Sequence, residues 1–237
     1  MRRNSFKLFV VAAAFALLAC PPKNESGGNA ASSGGDILIG EYGSLTGPQA
    51  TFGTSTHNGI MMAMDAINKA GGVKGRKIKV LTEDDQSKQE EAANAVTKLI
   101  SQSNVLAILG EVGSSNSLAA APICQSNKVP MITPSSTNPE VTKKGDYIFR
   151  VCFTDLDVGE NIARYVVQEL HFKRAAILTD IKTDYSTGLT ATIEKTFASL
   201  GGQMVAHVGK TQARGDAKRA RCGGEQRRLR HAPAVAQ

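Results

Sequence analysis

Two short hydroxyl-rich segments carry the residues of this 237-residue chain best suited to chemistry. One is Gly113-Ser114-Ser115-Asn116-Ser117, and the other is Ser135-Ser136-Thr137. Their hydroxyls, with the free N–H groups of a helix that opens beside the first segment, are neutral dipoles able to hold an anion such as a carboxylate. Each segment follows a short apolar run, residues 105–109 in one case and 131–133 in the other. Runs of this length without polar interruption read as strands of a parallel sheet covered on both faces. The two segments would then leave the carboxyl ends of neighbouring strands, where open α/β sheets bind ligands. The same residue types serve turns and caps in any protein, and Ser114 or Ser115 is placed to cap a helix running through residues 118–125. Local composition leaves turn chemistry and ligand contact both open.

Other constellations offer less. Asp84 and Asp85 are adjacent at a strand end, so their side chains point opposite ways and read as turn residues rather than an acid–base pair. His57, His171, His207 and His231 are scattered, and His57, just ahead of a helix, reads as a surface or capping residue. Cys124, Cys152 and Cys222 show no Cys-x-x-Cys spacing and no metal-ligand pattern. Cys124 and Cys152 are as compatible with free thiols as with a pair. Gly43-Ser44-Leu45-Thr46-Gly47 has the wrong spacing for a nucleophile elbow, and Gly110-x-x-Gly113 is too little for a dinucleotide fingerprint. No nucleophile is paired with a base, so the sequence supports neither an enzyme nor a resident cofactor or metal.

The elements that must position these residues alternate strand and helix. Residues 37–40 form a strand that runs into a glycine-rich loop, residues 43–53. A helix follows with Ile60, Met61, Met64 and Ile67 on one face, expected to fill core, and closes at Gly71-Gly72. Residues 77–81 form a second strand. Ser87 and Glu90 suggest a capping box for a helix whose buried stripe is Ala92, Val96, Leu99 and Ile100. After the strands already described, residues 147–151 form another. A second round then opens, with a helix capped by Asp157 and Glu160, a buried run Ala175-Ala176-Ile177-Leu178, a polar loop bearing Tyr185, a helix through Leu189, Ile193, Phe197 and Leu200, and a strand over residues 203–208. The pattern predicts an α/β protein with doubly wound parallel sheets.

The two ends differ from the middle. Arg2, Arg3 and Lys7 precede an apolar stretch, residues 8–18, and Leu17-Leu18-Ala19-Cys20 resembles a bacterial lipobox. Residues 1–20 are therefore read as a lipoprotein signal peptide with Cys20 lipidated, and residues 21–35 as a flexible Gly/Ser-rich tether. Residues 36–150 would form a first lobe and residues 151–208 the start of a second. Residues 209–237 form a basic tail; from Lys210 onward it carries eight Lys and Arg against Asp216 and Glu225, which is +6 of the chain's formal +7. Its Arg/Ala/Gly bias is expected of an out-of-frame reading of GC-rich DNA, and the tail is expected to be disordered. A basic nucleic-acid tail is the competing reading, and export argues against it.

Three segments together carry a resemblance: Gly43-Ser44-Leu45-Thr46-Gly47-Pro48, Ala66-Ile67-Asn68-Lys69-Ala70-Gly71-Gly72, and the run from Val129-Pro130 through Ser135-Ser136-Thr137-Asn138-Pro139. With Tyr147-Ile148-Phe149-Arg150 and Asp184-Tyr185-x-x-Gly188, the chain from Asp36 to about Val208 resembles the substrate-binding proteins of branched-chain amino acid ABC transporters. The resemblance implies a type I periplasmic-binding-protein fold, with two doubly wound lobes that close over a ligand. Here it covers the first-lobe segment and only the start of the second. It further implies that Ser114 holds the α-carboxylate, that Ser135 offers its backbone carbonyl to the α-ammonium, and that Thr137 uses its N–H and hydroxyl, with Ser136 beside them. Phe52 would line the side-chain pocket and Tyr185 would close from the second lobe. The implied partners are an amino acid, a transporter permease and, through the lipid anchor, a membrane; the implied state is a monomer in the periplasm or at the cell surface. A sensory ligand-binding domain on the same fold and a truncated remnant without binding are the alternatives.

Overall fold

The computed structural model describes residues 35–210. The signal peptide, Cys20, most of the tether and the basic tail beyond Lys210 lie outside the described residues.

Five strands form one all-parallel sheet: β1 (Ile37–Gly43), β2 (Ile78–Asp84), β3 (Ala107–Leu109), β4 (Met131–Thr133) and β5 (Ile148–Arg150), in the order β2-β1-β3-β4-β5. The register pairs Gly40 with Leu81 on one side and with Ile108 on the other. Parallel neighbours need crossover connections; helices α1 (Ala50–Lys69), α2 (Gln89–Ser101) and α3 (Ser114–Asn127) supply the first three, and a loop with a 3-10 turn at Thr142–Lys144 links β4 to β5. The core lies under α2 and α3, where Ala92, Ala95, Val96, Leu99, Ala120, Ala121 and Cys124 meet Tyr42, Ile108 and Met131.

The opposite face is thinner. Helix α1 lies against β1 and β2, but only Gly53 in it is fully buried. Met61, expected in the core, is 43% exposed, and Ile67 and Leu106 are exposed as well. The apolar stripe of α1 thus covers the sheet only in part, because among the described residues no second helix joins it on that face.

After β5 the chain crosses into α4 (Asp155–Arg164), prolonged by a π-helical turn over Tyr165–Glu169. A second sheet follows, β6 (Arg174–Asp180) paired in parallel with β7 (Gln203–Lys210) and joined to it by α5 (Asp184–Ser199). Helix α4 packs on α5, and Phe197 is buried in this unit. The run through Leu178 is not buried on both faces as expected: Leu178 and Val205 are exposed, since only one face of the two-stranded sheet is covered among the described residues. Strand β7 also runs through Gly209 and Lys210, two residues past the expected end.

The caps differ from the sequence expectation in an instructive way. Lys88 stands at the N-cap of α2 with no side-chain bond, so the Ser87–Glu90 capping box does not form. The Ser87 hydroxyl instead joins the β1 loop, donating to Thr46 O at 3.0 Å and accepting from Gln49 N at 3.1 Å. Gly113, not Ser114 or Ser115, is the N-cap of α3. Helix α4 is capped by Thr154, whose capping-box partner is Asp157; Glu160 takes no part. Finally, His57 lies inside α1, where Nδ1 meets the buried Glu41 carboxylate at 2.8 Å, and Thr82 Oγ1 donates to the same oxygen at 2.8 Å.

Candidate functional site

Strand order creates the site. From β1 the chain winds outward to β2, then returns to place β3 on the other side of β1. The loops after β1 and β3 therefore leave in opposite directions and open a crevice at the carboxyl edge of the sheet. A cleft of about 720 Å³ lies there. Pro48, Gln49 and Phe52 line it from the β1 side, and residues 112–116 from the β3 side. Ser135 and Thr137 come from the loop after β4, Cys152 and Phe153 from the crossover, and Asp180, Lys182, Thr183 and Tyr185 from the β6–α5 connection.

Of the residues expected to bind ligand, Ser114, Ser135, Thr137, Phe52 and Tyr185 all reach this cleft. Phe52 and Tyr185 are exposed on opposite walls. Ser136 does not reach it. It is fully buried behind the wall, where Oγ meets Ser117 Oγ at 2.7 Å and donates to Glu111 O at 3.0 Å. Alternate residues of an extended turn point opposite ways, so Ser136 supports the loop that its two neighbours present.

The hydrogen-bond account of that loop is nearly closed, and what remains open is informative. Arg150 Nη1 donates to Ser136 O at 3.2 Å and to Asn138 O at 2.8 Å, and Asp155 N donates to Thr137 O at 2.8 Å. Among the described residues no donor reaches Ser135 O and no acceptor reaches Thr137 N. The Thr137 hydroxyl is buried and has no hydrogen-bond partner among those residues. Ser114 Oγ accepts from Asn138 N at 3.2 Å, which leaves its own proton free to donate. Ser114, Ser115 and Asn116 lie in the first turn of α3, where N–H groups have no intrahelical acceptor. One wall thus offers several donors and one unengaged carbonyl.

Asp155 was not singled out in the sequence, yet it sits directly behind Thr137. It is buried, and among the described residues neither carboxylate oxygen has a hydrogen-bond partner. Burial pushes its carboxyl above the usual range, opposed by the approach of the Thr137 hydroxyl, which stops short of a hydrogen bond, and by the Arg150 charge. The second sheet is joined to the first at Asp184: its N–H donates to Ser115 Oγ at 2.9 Å, and its carbonyl accepts from Asn138 Nδ2 at 2.9 Å. Cys124 and Cys152 are free; Cys124 is buried, and burial pushes its thiol up to about 12. No three His, Cys, Asp or Glu side chains among the described residues come together as a metal site, and no helix there is long and apolar enough to cross a membrane.

A doubly wound sheet with a polar, dipole-lined cleft at its switch point, and a second α/β unit hydrogen-bonded across that cleft, is an arrangement suited to holding a small molecule. The chain belongs to the periplasmic binding protein family, whose model matches residues 36–218. A Pseudomonas aeruginosa amino acid binding protein is 34% identical over 182 residues, which is 76% of this chain and 48% of that protein. The Thermotoga maritima leucine binding protein LivK superposes with a TM-score of 0.70 at 39% identity, over 74% of this chain and 49% of that one. The Streptococcus pneumoniae branched-chain amino acid transporter protein LivJ, solved with isoleucine, gives a TM-score of 0.71 at 34% identity, over 75% and 50%. The chain spans about half the length of these relatives. The family match extends past β7 to residue 218, so the basic segment begins inside it.

Proposed function

We propose that this chain is the ligand-recognition part of an extracytoplasmic substrate-binding component of an ABC transporter, taking a branched-chain or related neutral amino acid for delivery to a permease. The observation that carries the reading is the set of unengaged groups on one wall of the cleft. The Ser114 hydroxyl, the first N–H groups of α3 and Thr137 N suit an α-carboxylate, and Ser135 O suits an α-ammonium. Neutral dipoles hold a zwitterion without placing a second full charge in a half-buried site. Phe52, Phe153 and Val112 supply the apolar contacts that an aliphatic side chain needs. The relatives described as binding amino acids, and the isoleucine complex among them, support the same ligand class.

Location and partners extend the proposal. Cys20 would carry a lipid that tethers the folded part outside the cytoplasm, and the protein would work as a monomer against its permease. Mass spectrometry of the membrane fraction tests the anchor: a diacylglyceryl-modified Cys20 is expected, and release of soluble protein with a free thiol there would refute it. Calorimetry with leucine, isoleucine and valine tests the ligand. Micromolar heats that vanish with D-leucine are expected; no heat from any of the three, with the fold intact by circular dichroism, would favour a remnant that has lost binding.

A further inference from the structure

Glu111 is fully buried under the crevice, in the first residues after β3. Its Oε1 accepts from Ser44 N at 2.9 Å and from Ser44 Oγ at 2.6 Å, and its Oε2 accepts from Gly113 N. Ser44 opens the β1 loop, whereas Gly113 caps α3 on the β3 side. One carboxyl group therefore bonds both walls of the crevice at the point where they diverge.

Asp85, equally buried just after β2, is joined to the same serine: its Oδ1 lies 3.0 Å from Ser44 Oγ and accepts from Ser87 N at 2.9 Å. Its Oδ2 has no hydrogen-bond partner among the described residues. The groups around the pair do not neutralise it. Asp84, the last residue of β2, immediately precedes Asp85, and Tyr42 on β1 is buried, with its hydroxyl aimed at Met131 Sδ at 3.5 Å. Lys88, the nearest cation in sequence on the α2 side, sends Nζ to Gln86 at 3.0 Å, and His57 on α1 is engaged with Glu41. Helix α3 contributes Cys124, whose thiol is kept protonated by burial. Among the described residues no cation forms an ion pair with either carboxylate. Two buried carboxylates bridged by one hydroxyl, with one oxygen lacking a donor, are the arrangement that retains a proton.

We propose that Glu111 is a positioning residue for the cleft, tying the β1 loop to the β3 loop, and that a proton held between Glu111 and Asp85 sets the charge beneath the donor-rich end of α3. Burial first, and then the Asp85 charge, push Glu111 up to about 7, so the pair loses this proton within the neutral range. Loss of the proton adds a negative charge behind Gly113 and the first turn of α3, where an anionic ligand group would sit, and weakens its attraction. The tie itself stands on the geometry of the free chain; its effect on a ligand rests on the function proposed above.

The test is an amide-resolved NMR titration of the whole chain without ligand. The Ser44 and Gly113 amides are expected to titrate together, with a shared midpoint near 7. Asp85→Asn removes the neighbouring charge but not the burial, so the midpoint should fall while staying above the ordinary carboxylate value. Glu111→Gln should abolish the titration at both amides. No shared titration between about pH 5 and pH 9, or an unchanged midpoint in Asp85→Asn, overturns the proposal. In the second arm, leucine affinity should fall roughly tenfold from pH 6 to pH 8 in the parent chain and fall less in Asp85→Asn. Level affinity in the parent while the amides titrate overturns the link to the cleft. Absence of leucine binding at both values refutes the functional reading alone, because the ligand-free titration still decides the tie.

Discussion

The backbone N–H of Asp184 donates to the hydroxyl of Ser115 at 2.9 Å, joining the first turns of two helices that belong to different sheets. Asn138 reaches the same residue from the loop after β4, so Asp184 is gripped on both its N–H and its carbonyl. This grip sets how Tyr185, the next residue, faces the wall that bears Ser114 and Thr137. Ser115→Ala should release the Asp184 amide while leaving the five-stranded core untouched, because Ser115 does not cap α3. Hydrogen exchange at Asp184 is expected to speed up roughly tenfold, the size of one ordinary hydrogen bond, with Ile108 unaffected. Unchanged protection at Asp184 would show that the contact contributes nothing to holding the units together.

Close approach, not conformational freedom, fixes Gly53. It lies in the first turns of α1 with its Cα against the backbone of Ser44, and a Cβ there would collide with Ser44 O and its carbonyl carbon. Backbone cannot swing aside as a side-chain tip can, so Gly53→Ala must push α1 off the β1 loop. A loss of about 1–3 kcal/mol is expected from urea melts, together with a shift of the Ser44 amide. The nearby Gly59 makes a control, since a Cβ there meets nothing within 4 Å. Gly59→Ala should be neutral or slightly stabilising in this helix interior.

Stability should fall as pH rises. The carboxyls of Glu111, Asp85 and Asp155 are all held above their ordinary values, in each case chiefly by burial. Between the unfolded and folded values the native state holds more protons than the unfolded chain, so the slope of unfolding free energy against pH is negative. For Glu111 the window runs from 4.5 to about 7. Its contribution is complete at the acidic end and lost by the neutral end, the reverse of an ordinary salt-bridged carboxylate. Melting temperature should therefore decline across that window and do so less steeply in Asp85→Asn. A melting temperature that climbs steadily from pH 5 to pH 7 would contradict this assignment.

How far the sequence could be read follows from which interactions are local. Strand runs such as residues 105–109 and 131–133 announced themselves through unbroken apolar character, and the doubly wound order followed from strict alternation with helices. The cleft-lining role of Ser114, Ser135 and Thr137 was legible because a loop at the carboxyl end of a parallel strand has a known place. Ser136 was not separable from its neighbours, since which residue of a turn points inward is set by partners such as Ser117, distant in sequence. Glu111 and Asp155 were missed for the same reason: each looks like an ordinary polar loop or first-turn residue until burial is known. The caps erred where a hydroxyl was claimed by another loop, as Ser87 is by the β1 loop. The exposure of the flanks of α1 and of the second sheet was not legible, because a periodic apolar face does not say what covers it.

Thr137 offers the sharpest separation of fold from function. Its hydroxyl is buried and makes no hydrogen bond in the free chain, so replacing it with a methyl group removes no native bond and relieves an unsatisfied polar atom. Thr137→Val should accordingly leave stability unchanged or raise it slightly, while pushing Asp155 further up by withdrawing a group that favours its charged form. Binding should move the other way. A ligand charge that loses a hydroxyl partner costs about 1.5–3 kcal/mol, or roughly 10- to 150-fold in affinity. The paired measurement is a urea melt and a leucine titration on the same two proteins. Equal stability with weakened binding supports the site. A variant that binds leucine as well as the parent does would show that the Thr137 hydroxyl does not touch the ligand, and would shift the assignment to Ser114 and the α3 amides alone.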